Sequence, residues 1–423
     1  AASDVYKRQH TSMKINKHCF PNGLRLVHYE DTSTQMVALN IVYDVGARDE
    51  HPEHTGFAHL FEHLMFGGSA HIPDYDTPLQ LAGGENNAWT NNDITNYYLT
   101  VPKPNVETAF WLESDRMLEL AFSEQSLEVQ RGVVMEEFKQ RCLNQPYGDV
   151  GHLFRPLAFR VHPYRWPTIG KELSHIEQAT LDEVKSFFYR FYAPNNAVLA
   201  VTGNISWDET VKLTEKWFAP IPRRDVPVRQ LPQEPEQTQE RRLTVERNVP
   251  LDALFMGYHM CSREGADYYA FDILSDILSN GRSSRLNRRL VQEQNIFSGI
   301  DAYISGTRDA GLLQISGKPA AGVSLEQAEA AVRKELEELQ RSPVDGQELE
   351  KVKNKFESTQ IFGNINYLNV ATNLAWFELT GKAEDIDLEV ERYRSVTTEQ
   401  LHTVAQRTFC ESNAVVLYYK SDK

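Results

Sequence analysis

His59-Leu60-Phe61-Glu62-His63 sets two imidazoles four residues apart. On a helix they stand about 40° apart on one face, at roughly 100° per residue. Glu62 falls about 60° to the other side of His59, still on that face. Neutral imidazoles suit zinc, and a carboxylate beside a zinc-bound water can take its proton. The order is the inverse of the commoner H-E-x-x-H zinc motif. A catalytic zinc keeps three protein ligands and one open position, so a third ligand has to come from elsewhere in the chain.

The stretch from Ser126 to about Gln140 reads as a second helix. Leu127, Val134 and Phe138 share one stripe at helical spacing, and Val133 and Glu137 share another. Near its end stand two carboxylates, Glu136 and Glu137. Adjacent helical side chains point about 100° apart, so one of the two faces the site, and spacing does not choose between them.

These residues belong to longer matches: Gly56-x-Ala58-His59-Leu60-Phe61-Glu62-His63-Leu64-Met65-Phe66-Gly67, Asn87-Ala88-Trp89-Thr90, Asn96-Tyr97-Tyr98 and Arg131-Gly132-Val133-Val134-Met135-Glu136-Glu137. In that order they resemble the pitrilysin, insulin-degrading-enzyme and mitochondrial-processing-peptidase family of zinc peptidases, across nearly the whole chain. The resemblance implies one Zn2+ per chain held by His59, His63 and Glu137, with Glu62 as general base and then general acid. It also implies that a peptide adds as a strand beside Asn87 and Ala88. The family often carries glutamate seven residues before the third ligand; Gln130 stands there, which weakens outer support for the site without removing a ligand. In the half without zinc, an arginine and a tyrosine seven residues apart help hold substrate in the family. Aligned after Gly281-Arg-Ser-Ser-Arg-Leu286, those places are Val291 and Ser298. Short members pair two chains into a clamshell chamber, so the resemblance implies a dimer, with a metal-free homologous chain as the partner that supplies the pair.

A chain of 423 residues is long for one core, and two domains are expected. Its 41% apolar and 24% charged content is that of a soluble globular protein. No apolar run approaches the roughly 20 residues that span a bilayer, so no membrane is expected. A net charge of −15 argues against nucleic acid, whose phosphates need a basic surface. Cys19, Cys142, Cys261 and Cys410 lie far apart without a C-x-x-C pair, a reduced, cytoplasmic pattern. Met13-Lys-Ile-Asn16 reads as the natural start, and residues 1–12, without signal-peptide shape, as not native.

Along the chain, 24–29 and 37–43 read as strands. The motif helix spans about 55–66 and is closed by Gly67-Gly68. Segments 87–91 and 95–101 read as paired strands, 104–120 as a helix and 197–202 as a buried strand. Residues 220–240, with five prolines and almost no apolar periodicity, read as an extended interdomain linker. Then the pattern restarts. Thr180, Val184, Tyr192 and Asn196-Ala197-Val198 return 217 positions on as Thr397, Leu401, Phe409 and Asn413-Ala414-Val415. Ala38-Leu39 and Arg48 return 215 positions on as Ala253-Leu254 and Arg263. Two copies of one fold follow: a zinc-bearing domain at 13–219 and a metal-free one at 241–423. The second offset carries His59, Glu62 and His63 to Leu274, Ile277 and Leu278, which ligate nothing. Strands near Ile300 and Leu312, helices near 325–340, 347–380 and 397–408, and a closing strand at 415–419 complete it.

The expected fold is therefore α+β, two homologous domains each with a mostly antiparallel sheet flanked by helices. The expected function is zinc-dependent hydrolysis of short unfolded peptides. The alternative is a catalytically silent structural or assembly subunit of the same fold, against which the intact His59, Glu62, His63 and Glu137 weigh. A zinc-stabilised binding module is a third reading, and Glu62 weighs against it, since a closed structural site has no use for a carboxylate beside an open position.

Overall fold

The computed structural model describes residues 12–423; the reading of residues 1–12 as non-native lies outside them for all but Ser12. Two mixed sheets carry the molecule. The first contains β1 (Ile15–Cys19), β2 (Arg25–Glu30), β3 (Met36–Tyr43), β4 (Glu85–Thr90), β5 (Thr95–Pro102) and β6 (Ala197–Gly203), in the order β1-β2-β6-β3-β5-β4. The second contains β7 (Arg241–Arg247), β8 (Ala253–Met260), β9 (Phe297–Ile304), β10 (Gly311–Pro319) and β11 (Ala414–Ser421), in the order β7-β11-β8-β10-β9. In each, a single parallel pair, β2 with β6 and β7 with β11, interrupts an otherwise antiparallel ladder.

The ladders confirm the repeat to the residue. Leu39 pairs with Val201 in the first sheet. Moved by 215 and 217 positions, those residues become Leu254 and Tyr418, which pair in the second. The β5 and β10 partners of β3 and β8 run antiparallel on the other side in both.

Helices cover both faces of each sheet, which is why β6 reads as an unbroken apolar run and is buried at all seven positions. On the first sheet, α1 (Phe57–Leu64), α2 (Val106–Leu118) and α3 (Glu124–Phe138) belong to the core that includes Leu39, Leu99 and Val201. On the second, α4 (Val150–Ala158) packs Phe154 and Ala158 against Val415 and Leu417. The opposite face receives α5 (Tyr268–Ser279), where Leu274, Ile277 and Leu278 are buried core residues.

The compact units cut across the halves 13–219 and 241–423. The first takes residues up to Phe138, Thr168–Gln230 and Gln360–Glu389; the second takes Lys139–Pro167, Leu231–Thr359 and Val390–Lys423. Thus α4 lies under the second sheet although it precedes the linker. The span 347–380, expected as one helix, is two: α6 (Gly346–Gly363) and α7 (Tyr367–Thr380). Gly363 ends the first, and Asn366 caps the second by accepting from the N–H groups of Leu368 and Asn369. That break returns α7 to the first unit, where Val370, Ala371, Leu374 and Ala375 cover Val27, Ala38 and Ala200.

Residues 222–239 lack regular structure, as expected of the linker, but they are pinned rather than loose. Arg229 pairs with Asp49 at 2.6 Å and Asp44 at 3.2 Å in the first unit. In the second, Glu234 accepts from the backbone N–H groups of Arg160, Val161 and His162. Burial pushes its carboxyl up, and those three donors hold it below its ordinary value.

Candidate metal centre

α1 buries Phe57, Ala58, Leu60, Phe61 and Leu64 and turns its remaining face toward α3 and β4. Its first turn is held by a side chain from the loop just ahead of it. The buried Glu50 carboxylate accepts from the N–H groups of Gly56 and Ala58, both at 2.9 Å. An anion there satisfies orphan donors and opposes the positive end of the helix dipole. Gly56 has φ of 87°, and a Cβ on it would stand 2.5 Å from Ile176 Cδ1, so a side chain is excluded by conformation and by space. At the other end, a Cβ on Gly67 would stand 2.5 Å from Ser126 Oγ, so glycine lets the start of α3 close on the end of α1.

Glu50 gives a direct prediction. Glu50→Ala leaves the two buried N–H groups without their anionic acceptor. The chain should lose about 2–3 kcal/mol of stability, read as a lower urea midpoint at unchanged slope. An unchanged midpoint would show that the cap carries no weight.

The predicted stripe on α3 is as expected: Leu127, Val134 and Phe138 are buried. The choice that spacing left open is made by the fold. Glu136 is exposed, whereas Glu137 is half-buried and turned to the histidines. Glu137 Oε2 lies 3.5 Å from His59 Nε2 and 3.4 Å from His63 Nε2. The two rings stand 4.9 Å apart and almost perpendicular, at 88°. One donor atom from each of the three side chains falls within 4.8 Å of the others, and no second such group of three is present among the described residues.

This donor set fits zinc. Zn–N and Zn–O bonds of about 2.0–2.2 Å put tetrahedral ligands about 3.3–3.5 Å from one another, the separation of the carboxylate from each imidazole. Two imidazoles and one carboxylate are also the N and O donors zinc takes in catalytic sites, and three leave a fourth position open.

Glu62 lies on the same helix outside this group, with its Oε2 accepting from the Thr90 hydroxyl at 2.7 Å. Thr90 ends β4, which is the edge strand of the first sheet. Along β4, Glu85, Asn87 and Trp89 are exposed, and Asn86, Ala88 and Thr90 are half-buried against the core. Asn87 and Ala88 therefore lie on a sheet edge beside the metal helix, and the Ala88 N–H donates to Asn87 Oδ1 at 2.8 Å. Gln130 is half-buried, two turns before Glu137 and near it in angle on α3. Val291 packs against the second core, and the exposed Ser298 on β9 donates its hydroxyl to the Lys318 carbonyl at 3.2 Å. His51 and His54 form a short bridge ahead of α1, and His54 pairs with Glu183, so neither joins the three.

Two residues that the sequence reading passed over hold the site. Thr90 stood inside a quoted motif without a role, because a strand threonine looks like any other β-branched residue. Glu50 gave no signal, since its bond to the helix start spans an intervening loop.

Comparison with known proteins gives the family. Residues 25–149 match the family profile described as "Insulinase (Peptidase family M16)", and residues 178–356 match "Peptidase M16 inactive domain". The zinc protease PqqE of Helicobacter pylori is 26% identical over 420 residues, covering 97% of this chain and 94% of that one. The uncharacterised zinc protease YmxG of Bacillus subtilis is 25% identical over 406 residues, covering 95% and 98%. A protease crystal structure from Helicobacter pylori superposes with a TM-score of 0.92 at 26% identity, covering 96% of this chain and all of that one. No helix among the described residues is long and apolar enough to cross a membrane. With both profiles in chain order, full-length relatives named zinc proteases, and the inverted histidine motif on α1, the chain belongs to the pitrilysin family, peptidase family M16, as a two-domain bacterial-type member.

Proposed function

We propose that this chain is a zinc-dependent endopeptidase acting on short unfolded peptides. The observation that carries the reading is the convergence of His59, His63 and Glu137 beside Glu62, next to the free edge of β4. When bound, zinc supplies a Lewis acid for the scissile carbonyl and a water whose pKa falls from about 15.7 toward 7. His59, His63 and Glu137 hold the metal. Glu62 takes a proton at its carboxylate and returns it to the leaving amine, base and then acid in one turnover. β4 offers backbone donors and acceptors to an extended peptide, which gives affinity without a demanded side-chain sequence. For a peptide to use the Ala88 N–H, the Asn87 side chain has to release it.

Pairing into a clamshell with a metal-free homologous chain belongs to the same proposal. It is supported by Val291 and Ser298, neither of which offers the donor its place has in the family. A partner would restore such a donor, worth on the order of 3 kcal/mol in the transition state. A reducing compartment such as the cytoplasm belongs to the same proposal, supported by four cysteines spaced far apart in sequence without a C-x-x-C pair.

The test is mass spectrometry of a basic, unstructured peptide incubated with the purified chain and zinc, then with a chelator, then with zinc restored. Internal cuts should appear, disappear and return. Cuts that survive the chelator overturn the metal assignment. Bound zinc without cuts calls for the metal-free partner chain: cuts restored by it support the pairing, and none with it favour the silent-subunit reading, to which the inactive-domain match over 178–356 lends support.

A further inference from the structure

We propose that Thr90 is a positioning residue for Glu62, tying the set of the base to the strand on which the peptide is laid. The inference rests on the reading of Glu62 as the base and adds to it a residue that holds that base. The Thr90 hydroxyl donates to Glu62 Oε2 at 2.7 Å in a half-buried setting. A hydrogen bond to a carboxylate in such a place is charge-assisted and directional, and it fixes the plane in which the second oxygen lies.

The donor itself has little freedom. Threonine is stiff at χ1, so its hydroxyl follows the backbone that carries it. That backbone is the closed end of the β4–β5 hairpin, where Thr90 pairs with Thr95. Thr95 is fully buried and donates its hydroxyl to the Val45 carbonyl at 2.9 Å. The next residue, Asn91, closes the turn by accepting from the N–H groups of Asp93 and Ile94 at 2.8 and 2.9 Å. Its carbonyl and that of Asn92 accept from Ala47 and Arg48, which anchors the turn to the rest of the first unit. Glu62, by contrast, sits on α1 with a flexible side chain of its own. The rigid partner therefore sets the flexible one.

The other role for Thr90 is that of an ordinary strand residue. Valine has the same shape and at least as strong a strand preference, so it would replace threonine there without effect. The two roles separate on the hydroxyl alone. Thr90→Val should lower kcat by about 10- to 100-fold, the usual cost of losing an outer group that orients a reacting one. KM, bound zinc and Tm should stay near wild type, and Thr90→Ser should recover most of kcat because it restores the donor. A Thr90→Val chain with wild-type kcat overturns the proposal, as does a loss of kcat that serine leaves unrepaired.

A readout independent of turnover accompanies the kinetics. In crystal structures of zinc-loaded wild type and Thr90→Val, Glu62 should hold one conformer in the first and spread over several in the second. One shared conformer overturns the positioning role even where the peptidase reading stands. A wild-type chain that holds zinc and cuts nothing, alone or with a metal-free partner chain added, overturns the peptidase reading, and the conformer comparison then decides on Thr90 by itself.

Discussion

Glu62→Gln should retain zinc at the wild-type ratio and lose about three orders of magnitude in peptide cleavage. Glu62 lies outside the group formed by His59, His63 and Glu137, so replacing it removes no donor from that group. Glutamine has nearly the same volume, and its amide oxygen still accepts the Thr90 hydroxyl now on Glu62 Oε2. Shape, helix and metal group should all survive. What disappears is basicity: an amide takes no proton near neutral pH. General acid–base catalysis is typically worth about 10²–10⁴-fold, and Glu62 serves in both directions, which places the loss toward the middle or top of that range. Metal analysis alongside cleavage of one peptide reads both quantities on one preparation. Retained hydrolysis would remove Glu62 from the mechanism, and zinc lost together with activity would make it a ligand.

The site was legible in the sequence because its ligands are local. Two histidines at helical spacing lie on one face whatever surrounds them, and the buried stripe of Leu127, Val134 and Phe138 gave the second helix its orientation. Spacing stopped at Glu136 and Glu137, and the resemblance chose Glu137; in the fold it is the one turned to His59 and His63, where α3 packs against α1 and Leu127 and Val134 enter the core that α1 shares. The repeat was legible because strand registers preserve sequence offsets. Less of the architecture showed. The edge strands β1 and β7 bury little, so they carry weak apolar alternation and were not expected. The exchange of α4 and α7 between units depends on tertiary partners that local periodicity does not encode. It hinges on a three-residue break, Asn364 to Asn366, whose residues read equally well on an exposed helix face.

The largest stability effect should come from Arg116, on α2. Its side chain is 1% exposed and that of its partner Glu113 is 2% exposed, with the guanidinium donating at 2.6 and 3.0 Å to the two carboxylate oxygens. The rings of Tyr75, Tyr97 and Phe66 surround the guanidinium at 4.4, 4.6 and 5.0 Å from its centre. The Tyr75 hydroxyl completes the set by donating to Glu113. A dry ion pair of this kind is weak evidence for net stabilisation, because both charges were taken out of water to make it. Breaking it is another matter. Arg116→Met leaves Glu113 buried without its counter-charge, at a cost of about 3–5 kcal/mol. For a folding unit of this size that lowers Tm by roughly 6–20 °C. Arg116→Met combined with Glu113→Leu should recover much of the loss, since it removes the stranded charge as well as the pair. Thermal unfolding of the three proteins decides it: a double variant no better than the single would place the energy in the aromatic packing instead. The effect should reach the metal centre by a short route. Phe66 follows α1 by two residues, and Tyr97 is the β5 partner of Ala88 on β4. Loosening Arg116 therefore loosens the helix that carries the histidines and the strand that carries Thr90 together, and zinc affinity should fall in the single variant and recover in the double.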